Sequence, residues 1–191
     1  MNIFYLDSDP VLAAQYHCDK HVVKMILESA QLLSTAHRVL DGVMVNDKRY
    51  VQGSLPARWR NVKRWRLDNE FDSVYYSATH INHPSAVWVR TSPYHYNWLH
   101  NLFAGLLTEY TYRYGKVHKC ASLLEPLQRF PAKQDYAEWE EPPQCMPDDS
   151  KDAFSSVIAY RNYYRNHKAS FAKWSKRPTP FWWDEPIQKA A

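Results

Sequence analysis

The sequence predicts a mainly α fold, a compact single-domain helical bundle. Three observations lead there. Apolar residues recur at spacings near three and four in two long stretches, an Asp-Pro or Ser-Pro pair opens each of them, and no run shows the alternation of a strand ladder. The 191 residues fit one domain, long enough to bury a core without disulfide staples.

Asp9-Pro10 reads as a helix start, with an Asp cap and Pro at the first helical position. Helix is predicted from Val11 to about Leu40, in one or two pieces, on the recurrence of Val22, Val23, Met25, Ile26, Ala30 and Leu33. Asp41-Gly42 ends it. Asn46 to Pro56 is polar and turn-rich, and Arg58 to Arg66 (RWRNVKRWR) reads as a basic-aromatic helical cluster or an exposed amphipathic turn. Ser92-Pro93 repeats the start signal, so a helix is predicted from Tyr94 to Tyr114, stopping at Gly115. Tyr94, Trp98, Leu102, Leu106 and Tyr110 share one of its faces. A third helix is expected from about Ala121 to Arg129. An acidic, proline-rich surface loop follows at about 131–150, and a fourth helix runs from about Ser150 to Trp174 before the tail RPTPFWW.

Composition narrows the function classes. Only 4 glycines are present and neither G-x-G-x-x-G nor G-x-x-x-x-G-K occurs, which argues against phosphate-loop and dinucleotide chemistry, and no cofactor is implied. Cys18, Cys120 and Cys145 are odd in number and lack framework spacing, as expected of reduced thiols in an intracellular compartment. No apolar run approaches the ~20 residues needed to span a bilayer. The start MNIFYLDSDP has neither a basic nor a long apolar region, so the expectation is a cytoplasmic protein with no membrane partner.

The stretch from Phe154 to Trp183 contains no Asp or Glu. Arg161, Arg165, Lys168, Lys173, Lys176 and Arg177 are interleaved there with large rings, Trp174 among them. Uncompensated positive charge beside flat rings suits a phosphate backbone with bases to stack on. A solvated basic face over an aromatic core face explains the same pattern. Arg58, Arg60 and Arg64 form a second cluster of this kind, and Arg90 and His83 sit where a helix begins, a natural phosphate site. Glu109, Arg113, Lys116, His118 and Lys119 make a polar end to the Tyr94 helix; for at least one of the lysines, complementing the helix dipole suffices as an explanation.

His17-Cys18-Asp19-Lys20-His21 is the densest chemical cluster. His17 and His21 stand one helical turn apart, but a metal wants three or four ligands and no third is evident, so no metal is expected. The cluster reads either as buried, hydrogen-bonded histidines or as a working carboxylate, Asp19, tuned by its neighbours. The α-amine of Met1 is a further candidate, because α-amines ordinarily titrate near pH 8 and are nucleophiles at neutral pH.

Three segments together resemble the phage pyrimidine-dimer DNA glycosylase family, the endonuclease V type, with its bacterial relatives. His17 to His21 resembles the family's early helix motif [HY]-R-E-L-[HP], with Asp19 on the motif's Glu. His83-Pro84 and Trp88, with Leu99, Leu107, Glu109, Arg113 and Gly115, resemble its H-P…W segment and L…L-x-x-E-x-x-x-R-G helix. Arg177-Pro178-Thr179 resembles its R-P-T-W-Y ending. The order agrees and about two thirds of the chain is covered. The resemblance implies a compact helical DNA repair enzyme acting on double-stranded DNA, monomeric, in a bacterial or phage-infected cell. An N-terminal amine would attack C1′ of a damaged or modified pyrimidine nucleotide to form an imine, and a carboxylate from the early helix would assist. Carried over, Asp19 is that carboxylate, His17 and His21 flank it, and Arg113 and Arg177 face DNA or hold the fold. Asn2 is too large for ready removal of Met1, so the amine would be that of Met1. Asp19 is one methylene shorter than the motif's Glu, and the stretch at about 41–80 is an insertion. Two alternatives share the sequence: a phage DNA base-modifying or group-transfer enzyme using the His17–His21 cluster, and a non-catalytic nucleic-acid-binding or host-takeover protein.

Overall fold

A computed structural model describes residues 1–51 and 58–184. Among these the chain forms α1 (Pro10–Tyr16), α2 (Asp19–Asp41), β1 (Val43–Val51), β2 (Arg58–Arg66), α3 (Pro84–Thr91), α4 (Pro93–Tyr114) and α5 (Ser156–His167). Helix α4 is the central strut, packed against α1, α2 and α3.

Local chemistry sets the helix limits. Asp9 Oδ1 accepts from the amides of Val11 at 2.7 Å and Leu12 at 3.1 Å, capping α1 ahead of Pro10. His17 and Cys18 are extended, which breaks the first long helix into α1 and α2. Val22, Met25, Ile26, Ala30 and Leu33 of α2 are buried, while Val23 is exposed. Ser92 caps α4 through its hydroxyl, and Gly115 closes it in the left-handed region at φ 64°. Trp98, Leu102 and Leu106 of the anticipated α4 face are buried, whereas Tyr94 is exposed and Tyr110 half-buried. A Cβ at Gly105 would stand 2.8 Å from that of Ala14, so glycine lets α4 cross α1 closely.

The expectation of a mainly α helical bundle is corrected in the segment after α2. β1 and β2 form a two-stranded antiparallel sheet, with Val43 opposite Arg66 and Val51 opposite Arg58. The fold is therefore mixed, mostly helical with one β-hairpin. RWRNVKRWR is a strand rather than a helix, and Asn46 to Val51 is the strand it pairs with; residues 52–57 lie outside the described residues. β-branched and aromatic residues (Val43, Val45, Tyr50, Trp59, Val62, Trp65) favour the pleated geometry.

Three further expectations shift. The segment 121–129 is two 3₁₀ turns, Lys119–Leu123 and Pro126–Gln128, because Pro126 cannot continue a helix. The last helix is shorter than expected, from its Ser155 cap to His167. His83 to Arg90 is not a lead-in loop: His83 caps α3 and Arg90 lies in its last turn. The acidic segment carries no α-helix or strand. It is tied along α3 and α4 by Trp88 Nε1 donating to the Glu140 carbonyl (2.9 Å) and Ser92 Oγ donating to that of Ala137 (2.8 Å).

Arg38, near the end of α2 and 4% exposed, joins the hairpin to the body. Its Nε donates to the Tyr76 carbonyl at 2.6 Å. Its Nη1 donates to the Trp65 carbonyl (2.8 Å) and Asp72 Oδ1 (2.7 Å), and its Nη2 to the carbonyls of Asp72 and Tyr75, both at 2.8 Å. All five guanidinium donors are used. Arg38→Met should therefore destabilise the protein by about 1–3 kcal/mol or more, the usual cost of leaving a buried acceptor such as the Tyr75 carbonyl without its donor. Urea unfolding of the two proteins measures it; a change within ~0.5 kcal/mol, as at an ordinary surface site, would contradict this role.

Candidate functional site

The first residues run through the core. Ile3, Phe4, Tyr5 and Leu6 are buried, and Phe4 meets His21 of α2 and Tyr160, Tyr163 and Tyr164 of α5. Asn2 fixes where this segment surfaces. Its amide N–H donates to Glu28 Oε2 (3.1 Å), its Nδ2 donates to the Cys145 carbonyl (2.9 Å), and its Oδ1 accepts from the Tyr160 hydroxyl (2.7 Å). Met1 is half-buried against the core.

The segment's backbone is thus bound to Glu28 of α2 at Asn2, and the α-amine of Met1 acts electrostatically on His83 at the start of α3. Burial lowers the His83 pKa, the terminal ammonium and His80 lower it further, and Glu28 opposes them. His83 Nδ1 accepts from the Ser85 amide at 3.2 Å, which leaves Nε2 to carry the proton of the neutral ring. Glu28 Oε1 pairs with Lys24 at 3.2 Å, and the Glu28 side chain is 14% exposed. His80 is non-glycine backbone at φ 49°, held where the Thr79 amide donates to Thr35 Oγ1 at 3.2 Å. Lys24 and Lys168 both act electrostatically on His21, and Lys20 sits 4.8 Å from the Phe171 ring, which meets the His21 ring edge-on. The N-terminal segment thus meets the Lys24–Glu28 pair of α2, while Lys20 and Phe171 lie about two turns nearer the start of that helix.

Asp19 is elsewhere. It opens α2, so Glu28 lies about 13 Å further along the axis at the ordinary helical rise. Asp19 accepts from Arg113 Nη1 (3.0 Å), from the Ser175 amide (3.0 Å) and from Ser175 Oγ (2.6 Å). Burial alone would raise its carboxyl pKa, but Ser175 and Arg113 hold it below the ordinary value. Arg113, with no exposed side-chain surface, also donates to the carbonyls of His17 (2.9 Å) and Gln15 (2.8 Å) and to Glu109 Oε2 (3.0 Å). Glu109 then receives Arg177 Nη2 at 2.6 Å. Asp19 and Met1, paired in the sequence reading, are not brought together.

His17 and His21 are buried core histidines. His17 Nδ1 donates to the Ala13 carbonyl at 2.7 Å, and burial pushes its pKa down to about 4. His21 is 2.5 Å from the Tyr164 hydroxyl and stacks on Phe4 at 4.3 Å; burial, then His17 and Lys168, lower its pKa to about 3. Among the described residues no group of three or more His, Cys, Asp or Glu side chains is placed to hold a metal ion.

The basic-aromatic C-terminal segment is largely a clamp. Arg161 donates to the Leu6 carbonyl (2.9 Å) and Asp7 (3.1 Å), and Arg165 to the Trp182 carbonyl (3.0 Å). Trp174 donates to the Tyr16 carbonyl (2.8 Å), Lys168 to the Tyr163 hydroxyl (3.0 Å) and Lys176 to the Tyr112 carbonyl (3.1 Å). Arg90 holds the Ile81 carbonyl at 2.6 Å. Arg64 pairs with Asp47 at 3.3 Å. Lys173 and Arg60 are exposed, and the Arg58 side chain lies outside the described residues. Sequence reasoning missed Glu28, Lys24 and His80. The available signal was a polar stripe, His21, Lys24 and Glu28, at spacings of three and four on an amphipathic helix.

Compared with protein-family models, with curated proteins and with solved structures, the chain matches none. Among the described residues no helix is long and apolar enough to cross a membrane.

Two outcomes follow from this geometry. The folded state lowers the pKa of His17 and His21 below the ordinary 6.5, so it disfavours their protonation. Their contribution is complete above pH 6.5 and declines as pH falls toward about 4, by up to ~1.4 kcal/mol per group per pH unit. Melting temperature should fall across that window, and His21→Gln should flatten the fall; an unchanged slope would contradict it. Asp19→Asn should release the tail, with trypsin cutting after Lys173 and Lys176 about tenfold faster or more, since a charge-assisted hydrogen bond is worth about 1.5–3 kcal/mol. Equal cleavage rates would mean that Asp19 does not tether it.

Proposed function

We propose that the protein is a DNA-acting enzyme, a DNA glycosylase/AP lyase that acts on a damaged or modified pyrimidine through an imine intermediate. The observation that supports this reading is that Asn2 is bound to Glu28, itself paired with Lys24, while the adjoining Met1 α-amine acts electrostatically on His83. Lys20, Lys24 and Lys168 suit the flanking phosphates, and Phe171 and Tyr163 offer ring edges to a nucleotide drawn out of the duplex.

In this reading Glu28, rather than Asp19, is the carboxylate beside the nucleophile. The neutral α-amine attacks C1′, the C1′–N bond breaks, and its electron pair leaves with the base. Glu28 takes the proton released by the attacking nitrogen and passes it to the ring oxygen as the sugar opens to the imine, which leaves the carboxylate ionised again. The same carboxylate can then accept a C2′ proton, expelling the 3′ phosphate by β-elimination. Neutral His83, with its Nε2–H, is placed to donate to the departing base.

Intact-mass analysis to establish the terminal residue, then borohydride trapping on a duplex with an abasic site, tests the reading. The expected result is a covalent adduct mapped to residue 1, lost when the α-amine is blocked. Glu28→Gln should slow its formation about 10²–10⁴-fold, the range for a general acid–base group. Asp19→Asn should still form it. An adduct at a lysine would overturn the assignment of the amine. Duplex binding without any adduct would favour a base-modifying enzyme or a binding-only protein.

A further inference from the structure

The hairpin has two unlike faces. On one, Asp47 pairs with Arg64 (3.3 Å) and Arg66 (3.2 Å), and Arg66 also reaches Asp72 (3.2 Å) at the base anchored by Arg38. These ionic contacts face the strand's own neighbours and the body. The opposite face has neither a carboxylate nor an ion pair among the described residues. Three successive cross-strand pairs line it, Asn46 with Lys63, Lys48 with Asn61, and Tyr50 with Trp59. All six side chains are exposed, Trp59 by 65%. The two rings meet edge-on with centroids 5.5 Å apart, next to an open concavity of about 680 Å³ lined by Lys48, Trp59 and Asn61.

Resting on the reading of duplex DNA as substrate, we propose that this Asn/Lys face of the hairpin docks in the major groove of double-stranded DNA and contacts base edges there. The dimensions fit. Each strand has 9 residues, about 30 Å at the usual rise, and a two-stranded ribbon enters the ~12 Å major groove of B-form DNA. The chemistry fits as well. Asn amides match the donor–acceptor edge of adenine, and Lys ammonium groups match the acceptors of guanine. Alternating them in adjacent pairs places hydrogen-bonding groups along the groove floor with no acidic residue to repel the phosphates. Trp59 and Tyr50 lie further out on the same face, against sugar or thymine methyl groups. Because the base of the hairpin is fixed to α2 through Arg38, docking here would orient the duplex relative to the Met1 site. The deep, narrow major groove of A-form RNA does not admit such a ribbon, so the partner is duplex DNA rather than duplex RNA.

Fluorescence anisotropy on labelled duplexes of one sequence, as DNA and as RNA, tests this across a salt series. The expected result is DNA binding that is weakened at least tenfold in Lys48→Ala/Lys63→Ala at each salt concentration, since a lost base-edge contact costs about 1–3 kcal/mol, with little binding of RNA. Methyl green, which occupies the major groove, should displace the protein, and netropsin, which occupies the minor groove, should not. Asn61→Asp is the second variant; it keeps the side-chain shape and should weaken DNA binding at least tenfold by placing a carboxylate on the face. Both variants alter exposed side chains, so melting temperature should be unchanged. DNA binding with unaltered affinity in both the lysine variant and Asn61→Asp overturns the docking face alone. Displacement by netropsin and not methyl green also overturns it. No binding of any duplex DNA overturns both this assignment and the DNA-acting reading, whereas normal groove binding without an imine adduct leaves the docking face standing and removes only the catalytic one.

Discussion

A guanidinium with no exposed surface needs a fixed partner for its N–H groups, and Arg113 draws separate parts of the chain together to supply them. The carbonyls of Gln15 and His17 turn inward to it, which is where the first long helix breaks. Asp19 closes on it from the start of α2, and Glu109 from one turn earlier on α4. Glu109 also takes Arg177, and Asp19 takes Ser175, so the tail is bound to the same charges. Leaving any member unpaired in the interior is expensive, which makes the group all-or-none. Its consequence for the candidate site is indirect: the break at His17 sets the direction of α2, and α2 carries His21, Lys24 and Glu28 to the N-terminal segment.

Arg38 does for the other end of α2 what Arg113 does for its start. Each buried arginine converts a helix terminus into an anchor for irregular backbone. One holds the tail and the α1–α2 turn; the other holds the hairpin base and the segment around Tyr75 and Tyr76. The candidate site and the hairpin are thus fixed to one helix. A duplex held by the ribbon would therefore meet the amine in a defined orientation.

Much of the helical plan was legible because caps are local chemistry. Asp9-Pro10, Ser92-Pro93 and Gly115 act over three or four residues and mark α1 and α4 where they occur. The hairpin was not legible, for a physical reason. Both of its faces are largely solvated, so no buried face imposed a period of two, and Trp59, Val62 and Trp65 fall every third residue, imitating a helix. The site was half legible. The amine and the early helix were singled out, but Asp19 and Glu28 differ only in which long-range partners reach them, Ser175 and Arg113 for one and Asn2 for the other. The internal partners of the basic-aromatic tail were not legible for the same reason. The partners of Arg161, Asp7 and the Leu6 carbonyl, lie more than a hundred and fifty positions away and leave no local trace.

The most direct test of the central claim is a crystal structure of the protein trapped on a duplex. The account predicts a bond from the Met1 nitrogen to C1′ of an extruded nucleotide, Glu28 against that sugar, Asp19 still on Arg113 and Ser175, and the Asn46/Lys63 face in the major groove. A nucleotide seated against Asp19 with Glu28 remote from the sugar would contradict it.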